Sequence, residues 1–197
     1  MIKRTFDIFI SFITLVLSTP LFILIGLLIK VDSKGPIFFI QNRKGLNGND
    51  FKILKFRTMY QRSETQGKLT VGSDPRITNF GKLLRRFKID ELPQLLNVLI
   101  GDMSLVGPRP EVEEFFNYYP EDIQKVILSV RPGITDNASA ELINEAELLS
   151  QYVDSQKAYI EEILPRKQEL YIKYIKERNF CGDLVIICVS LKRILKN

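Results

Sequence analysis

The stretch TFDIFISFITLVLSTPLFILIGLLI, residues 5–29, carries one charged residue, Asp7, in 25 positions, and nothing else in the chain limits its fold as severely. As one straight helix it extends about 37 Å at roughly 1.5 Å per residue, long enough to enter or cross a bilayer. The core helix of a soluble domain is rarely so long and so uniformly apolar. A cleaved signal sequence has a shorter apolar run and a small-residue cleavage site after it, and neither is found here. Two membrane arrangements remain. A straight span puts Lys3 and Arg4 on one side and Lys30 on the other, with Pro20 removing a backbone donor in mid-helix. A helix that breaks at Ser18-Thr19-Pro20 and returns keeps every flanking positive charge on one side, its freed backbone groups met by the Ser18 or Thr19 hydroxyl. On the residues alone both stay open.

At the other end, DLVIICVSLKRILKN (residues 183–197) is apolar at Leu184, Ile187, Cys188, Leu191 and Leu195 and basic at Lys192, Arg193 and Lys196. It is too short to span but suits a helix at the interface of an anionic bilayer; an ordinary core helix has the same pattern.

Between these ends charge is uneven. Residues 41–90 hold 12 Lys/Arg against 4 Asp/Glu, and residues 111–164 hold 3 against 12. The first block is a candidate anion-binding surface and the second a solvated acidic face. The chain of 197 residues, 45% apolar, fits one domain with one site. It contains no histidine, which excludes the commonest general base and every Ser/His or Cys/His nucleophile pair, so carboxylates carry any acid/base work. Cys181 and Cys188 have neither CxxC nor zinc-site spacing and read as reduced structural thiols in a cytosol-facing protein.

Residues 36–42 and 51–57 read as two strands joined by a Gly/Asn-rich turn, and period-two alternation aims Lys55 and Arg57 at one face. A polar loop, QRSETQGKLTVGSD, follows. Ile77, Phe80, Leu84 and Phe87 have helical spacing, leaving Lys82, Arg85 and Arg86 on another side. Next, FKIDELPQLL places Asp90 and Glu91 together before a helix whose apolar face is Leu92, Leu95, Leu96 and Leu99. Asp90 suits the N-cap, where the macrodipole holds a carboxylate ionised. The segment after Glu111 is helical in pattern and is interrupted at Leu164-Pro165.

Acids before a helix are often only caps. Here they stand near GDMSLVGPRPE, which adds Asp102, a rigid Pro108-Arg109-Pro110 unit and Glu111. Lys55, Arg57, Arg85 and Arg109 together offer forks and point charges suited to a diphosphate. Paired acids beside such a cluster point to phosphoryl chemistry, with one carboxylate as nucleophile and its neighbour holding a divalent metal or moving a proton.

The chain resembles the bacterial sugar transferase family, the small monotopic phosphoglycosyl transferases. The stretches that carry the likeness are KRTFDIFIS with STPLFILIGLLIK, GPIFFIQNRKG, KFRTM, the continuous DPRITNFGKLLRRFKIDELPQLLNVLIGDMSLVGPRPE, RPGIT and ILPRKQELYIKYIKERNF. The resemblance implies transfer of a sugar 1-phosphate from a UDP-sugar to undecaprenyl phosphate, with release of UMP. Asp90 would be the nucleophile and Glu91 its partner, while Arg85 and Arg109 would contact phosphate. Magnesium would be the cofactor, on Glu91 and Asp102. It also implies a re-entrant N-terminus broken at Ser18, Thr19 and Pro20, entering one leaflet of the inner membrane from its cytoplasmic face. Threonine stands before Pro20 where the family has serine, and Asp136-Asn137-Ala138-Ser139 follows RPGIT where many members have Gly-Trp-Ala.

The expected architecture is thus α+β and mostly helical: a re-entrant membrane helix over residues 1–30, and a catalytic domain over 31–197 with a small β-hairpin and a C-terminal interfacial helix. The expected partners are UDP-sugar, undecaprenyl phosphate and membrane lipids. A membrane-anchored scaffold would explain the anchor and the charge asymmetry but would leave the Asp90-Glu91 and Pro-Arg-Pro arrangement without purpose. Nucleic acid is not expected, since the basic block lacks a reading motif and follows an embedded segment.

Overall fold

The computed structural model describes residues 2–61, 67, 69–142 and 145–196, leaving much of the polar loop at 61–74 outside the description, along with the Ala140 and Leu195 side chains. The fold is α+β and mostly helical, as expected. Helix α1 runs Ile2–Asp32. Strands β1 (Phe38–Lys44) and β2 (Asp50–Phe56) form an antiparallel hairpin with Phe38 opposite Phe56 and Lys44 opposite Asp50. Its turn needs positive φ at Asn47 (58°) and Gly48 (79°), which Asn and Gly adopt most readily. Helices α2 (Asn79–Arg86) and α3 (Gln94–Ile100) follow, and then β3 (Ser104–Val106). Beyond these lie α4 (Glu113–Phe116), α5 (Glu121–Ile127), β4 (Gly133–Thr135), α6 (Asn137–Glu141), α7 (Glu145–Leu149), α8 (Ser155–Ala158), α9 (Leu164–Glu177) and α10 (Phe180–Lys196).

At the expected break, Ser18-Thr19-Pro20, helical hydrogen bonding continues, so one helix stands where two were expected. Pro20 forfeits one backbone bond. The Ser18 hydroxyl donates to the Thr14 carbonyl at 2.5 Å and the Thr19 hydroxyl to that of Leu15 at 2.9 Å, the side-chain bonding that accompanies tolerated prolines in membrane helices.

Helix α1 lies along the rest of the protein rather than apart from it. Its buried and half-buried positions, including Asp7, Ser11, Leu15, Phe22, Ile25 and Ile29, recur at helical spacing along the length. Arg4 donates to the Val98 and Leu99 carbonyls at the end of α3, at 2.7 and 3.3 Å. Ser104 donates to Asp7 at 2.7 Å, and Lys3 pairs with Asp183 of α10 at 2.6 Å. At the far end Ile25 and Ile29 join Phe56 and Leu84 in an apolar cluster. The opposite face, with Phe9, Phe12, Val16, Leu17, Ile23, Leu24 and Leu27, is exposed.

The β3–β4 pair, parallel, with Ser104 opposite Gly133 and Val106 opposite Thr135, was not expected. It brings the two chains so close that a Cβ on Gly133 would lie 2.1 Å from the Gly107 nitrogen, which fixes the backbone just before Arg109. The expected interruption at Leu164-Pro165 takes the form of a π turn: α8 leads through Tyr159–Ile163 into α9, with Pro165 in its first turn. The wider turn accommodates the proline ring and its missing donor. Helix α10 packs half against the core through Ile186 and Ile187 and exposes Val185, Val189 and Leu191.

Candidate active site

Helix α2 begins at Thr78, whose hydroxyl caps the Gly81 amide at 3.0 Å, and carries Arg85 in its last turn. The chain then turns through Lys88 in the left-handed region (φ 55°) into a 3-10 turn, Ile89–Glu91. That turn, packed on the α1 cluster through Ile89, presents Asp90 and Glu91, both buried. Asp90 is not an N-cap: α3 starts at Gln94 with Pro93 in the cap position and no side-chain cap bond. The tight turn between Asp90 and α3 separates the carboxylate from the helix end, so its charge state is set by other neighbours.

The two carboxylates differ sharply. Glu91 Oε1 accepts from Lys55 Nζ at 2.9 Å and from Arg109 Nη2, while Oε2 accepts from Arg109 Nη1 at 3.1 Å. This is a two-pronged guanidinium clamp with an ammonium beside it. Burial pushes the Glu91 carboxyl up, but Arg109 and then Lys55 outweigh it and hold the group well below the usual carboxylate range. The same contact raises the Arg109 guanidinium well above its ordinary value. Asp90, in contrast, is raised, first by burial and then by the charge of Glu91, with Lys55, Lys88 and Arg85 opposing. Its Oδ1 is buried without a hydrogen-bond partner among the described residues. A buried, unpaired carboxylate oxygen is costly, and such groups concentrate where chemistry is done.

Strand β2 positions Lys55, and Asn97 fixes β2 to α3: its side-chain oxygen accepts from the Leu54 amide at 3.1 Å and its amide donates to the Lys52 carbonyl at 2.8 Å. Arg85 donates to the Thr58 hydroxyl at 2.8 Å and to that of Thr70 at 3.2 Å, and its charge acts on Asp90. Arg43 donates to the Pro110 carbonyl at 3.0 Å and so steadies the Pro-Arg-Pro unit from β1. Glu111 lies in a buried cluster with Lys167 (3.3 Å) and Tyr159 (2.9 Å), and Glu145 pairs with the same lysine at 2.9 Å. Neither Asn97 nor Arg43 was anticipated, although a lone polar residue in the apolar run LLNVL was a visible sign of the first.

Two expected members are elsewhere. Arg57 lies just past the end of β2, where the alternation that relates it to Lys55 no longer holds. Its guanidinium turns to the end of α1 and donates to the Ser33 carbonyl at 2.7 Å, the Ser33 hydroxyl at 2.9 Å and the Lys34 carbonyl at 2.9 Å. Gly35 (φ 131°) makes room for it, since a Cβ there would lie 1.8 Å from Arg57 Nη1. Arg57→Ala is therefore expected to lower stability by about 2 kcal/mol, the scale of losing hydrogen bonds from a buried charged donor, read as earlier thermal unfolding in detergent. Asp102 follows the end of α3, with Asn97 Nδ2 3.4 Å from its Oδ2, whereas Glu91 precedes the start of the same helix. The length of α3 keeps the expected metal pair apart. Among the described residues no group of three or more His, Cys, Asp or Glu side chains gathers as a metal site.

The profile of the bacterial sugar transferase family matches residues 1–197. Among curated proteins, the chain is 46% identical over 198 residues to a UDP-N-acetylgalactosamine-undecaprenyl-phosphate N-acetylgalactosaminephosphotransferase of Aeromonas hydrophila, covering 98% of this chain and 44% of that protein. It is 38% identical over 200 residues to an undecaprenyl-phosphate glucose phosphotransferase of Komagataeibacter xylinus, covering 97% and 35%. It is 35% identical over 194 residues to an uncharacterized sugar transferase of Bacillus subtilis, covering 98% and 87%. The chain thus spans less than half the length of the first two relatives and most of the third. With its whole length matched, the chain belongs to the bacterial sugar transferase family.

Proposed function

We propose that this protein is a phosphoglycosyl transferase that moves a sugar 1-phosphate from a UDP-sugar to undecaprenyl phosphate and releases UMP. The observation that carries this reading is the asymmetry of the buried pair: Glu91 is clamped by Arg109 and Lys55, while Asp90 keeps one oxygen unpartnered beside them. An unpaired Asp90 oxygen attacks the phosphorus that bears the sugar. The bond from that phosphorus to the bridging oxygen breaks, UMP leaves with the oxygen, and a sugar-phosphoryl acyl phosphate forms on Asp90. An oxygen of the polyprenyl phosphate then attacks the same phosphorus and displaces the carboxylate, which restores Asp90. Arg109, Lys55 and Arg85 neutralise charge that grows on the phosphoryl oxygens in both steps.

For a divalent ion, Glu91 with Asp102 does not fit, because α3 stands between them. With Asp90 Oδ1 the attacking atom and both Glu91 oxygens on Arg109 and Lys55, a magnesium ion would be held chiefly by the substrate phosphates beside the pair, where it would supply further charge neutralisation.

The acid limb of kcat/KM is expected to follow Asp90. The ionised carboxylate is the reactive form, and its pKa is raised by burial and by Glu91. Activity is therefore lost as pH falls through a value above the ordinary aspartate pKa of about 3.9; a limb at or below that value contradicts the assignment.

The anchor fits one-sided attachment, at the cytoplasmic face of the inner membrane, where nucleotide sugars are available. Both ends of α1 are bound to the same body by polar contacts, at Arg4 and Asp7 and again at Ser33, while the exposed face between is apolar. A span of about 30 Å of hydrocarbon would separate those ends. Single cysteines replacing Lys3 and Lys34, in a chain lacking Cys181 and Cys188, are expected to react with an impermeant maleimide from the same side of sealed vesicles. Labelling from opposite sides would establish a span.

The function itself is tested with a panel of UDP-sugars, supplied with undecaprenyl phosphate to the purified protein. UMP release together with a lipid-linked sugar phosphate is the expected outcome. No product with any sugar would leave the scaffold reading.

A further inference from the structure

Three cations of the site are already engaged: Lys55 and Arg109 on Glu91, and Arg85 on Thr58 and Thr70. Lys88 is different. It is exposed and its side chain has no hydrogen bond or ion pair to a described residue, although it stands two positions from Asp90. Its backbone is held left-handed (φ 55°, ψ 19°), a conformation that a lysine adopts only under constraint from its surroundings. The constraint is visible on both sides. The Lys88 amide donates to the Arg85 carbonyl at 3.1 Å and its carbonyl accepts from the Glu91 amide at 3.2 Å. Next to it Ile89 packs into the cluster of Ile25, Ile29, Phe56 and Leu84 that seats the end of the apolar helix α1. Lys88 therefore stands between the residue that packs on the last turns of the apolar helix α1 and the reactive carboxylate, with its ammonium exposed. Its charge also favours the ionised form of Asp90 and Glu91.

We propose that Lys88 is the binding residue for the phosphate of the lipid acceptor, taking hold of a polyprenyl phosphate monoester as it rises from the bilayer toward Asp90. This rests on the proposed transferase reading. A soluble UDP-sugar is free to settle on the inner cations, whereas a lipid-borne phosphate is confined to the headgroup level near the end of the apolar helix. A point charge on a flexible stem, not already paired, suits a ligand that must be caught and then passed on.

The test uses the full chain in nanodiscs of phosphatidylcholine, with the wild type, Lys88→Asn and Lys88→Arg compared. Asparagine tolerates the left-handed turn and removes the charge; thermal unfolding checks that the fold is kept. With Lys88→Asn the KM for undecaprenyl phosphate is expected to rise about tenfold or more, the scale of one charge-assisted contact. The KM for the UDP-sugar should stay within about twofold, and Lys88→Arg should restore the acceptor KM. An unchanged acceptor KM, or an equal rise for both substrates, would overturn the proposal. So would a rise that appears only when phosphatidylglycerol is added, since the residue would then be reading bulk lipid charge. A binding arm needs no turnover: discs carrying undecaprenyl phosphate should retain wild type more tightly than discs carrying undecaprenol, and Lys88→Asn should lose that difference. If the wild type transfers no sugar, the transferase reading fails while the binding arm still judges Lys88.

Discussion

Asp90→Asn is expected to abolish both UMP release and transfer, by about four orders of magnitude or more, the scale on which removal of a covalent nucleophile is felt. The change is nearly isosteric and takes away a buried charge that repels Glu91, so the folded protein should be no less stable than wild type. Asp90 is raised by burial and by that neighbour, which means the fold disfavours its ionised form and gains when the charge is removed. Loss of activity with stability kept would separate a chemical role from a structural one. Full turnover in the variant would refute the nucleophile assignment.

Arg109→Ala is expected to damage stability and rate together. Both prongs of the guanidinium are on Glu91, a buried carboxylate whose other cation is Lys55. Removing the clamp leaves a buried charge half compensated, which costs about 3 kcal/mol of stability. It also removes a positioned donor from the phosphoryl oxygens, for at least about 2 kcal/mol of transition-state stabilisation, or some thirtyfold in rate. Thermal unfolding and UMP release measured on the same preparation check the two effects. A variant that melts with the wild type and keeps its rate would show that Arg109 neither holds Glu91 nor meets substrate.

The long-period features were legible because each repeats a pattern over many residues. The apolar run at the N-terminus and the helical spacing around Leu84 appear as read, and the hairpin is present with its first strand at Phe38–Lys44 instead of 36–42. The adjacency of Asp90 and Glu91 was legible as well, since it is covalent. What sequence could not convey was where side chains turn once a pattern stops. Arg57 follows Lys55 by two, yet it sits past the last residue of β2 and serves the end of α1. Asp102 follows Glu91 by eleven residues, and the seven-residue helix between them holds them apart. Asp90 reads as a helix cap, but Pro93 delays the helix and a 3-10 turn intervenes. The β3–β4 pair is three residues per strand, too short to show a period, and it is recognisable only from the close approach of Gly107 and Gly133. At Ser18-Thr19-Pro20 the hydroxyls were foreseen as partners for freed carbonyls, and they act so within a helix that does not stop.

The central claim is that Asp90, the buried carboxylate with an oxygen left unpaired, takes up the sugar phosphate. It is tested most directly by mass spectrometry of the protein incubated with its UDP-sugar in the absence of acceptor, quenched and digested. The account predicts a mass increase equal to the phosphosugar on the peptide containing Asp90, lost on addition of undecaprenyl phosphate and absent in Asp90→Asn. An adduct on any other side chain, or the same adduct formed by the Asp90→Asn protein, would contradict it.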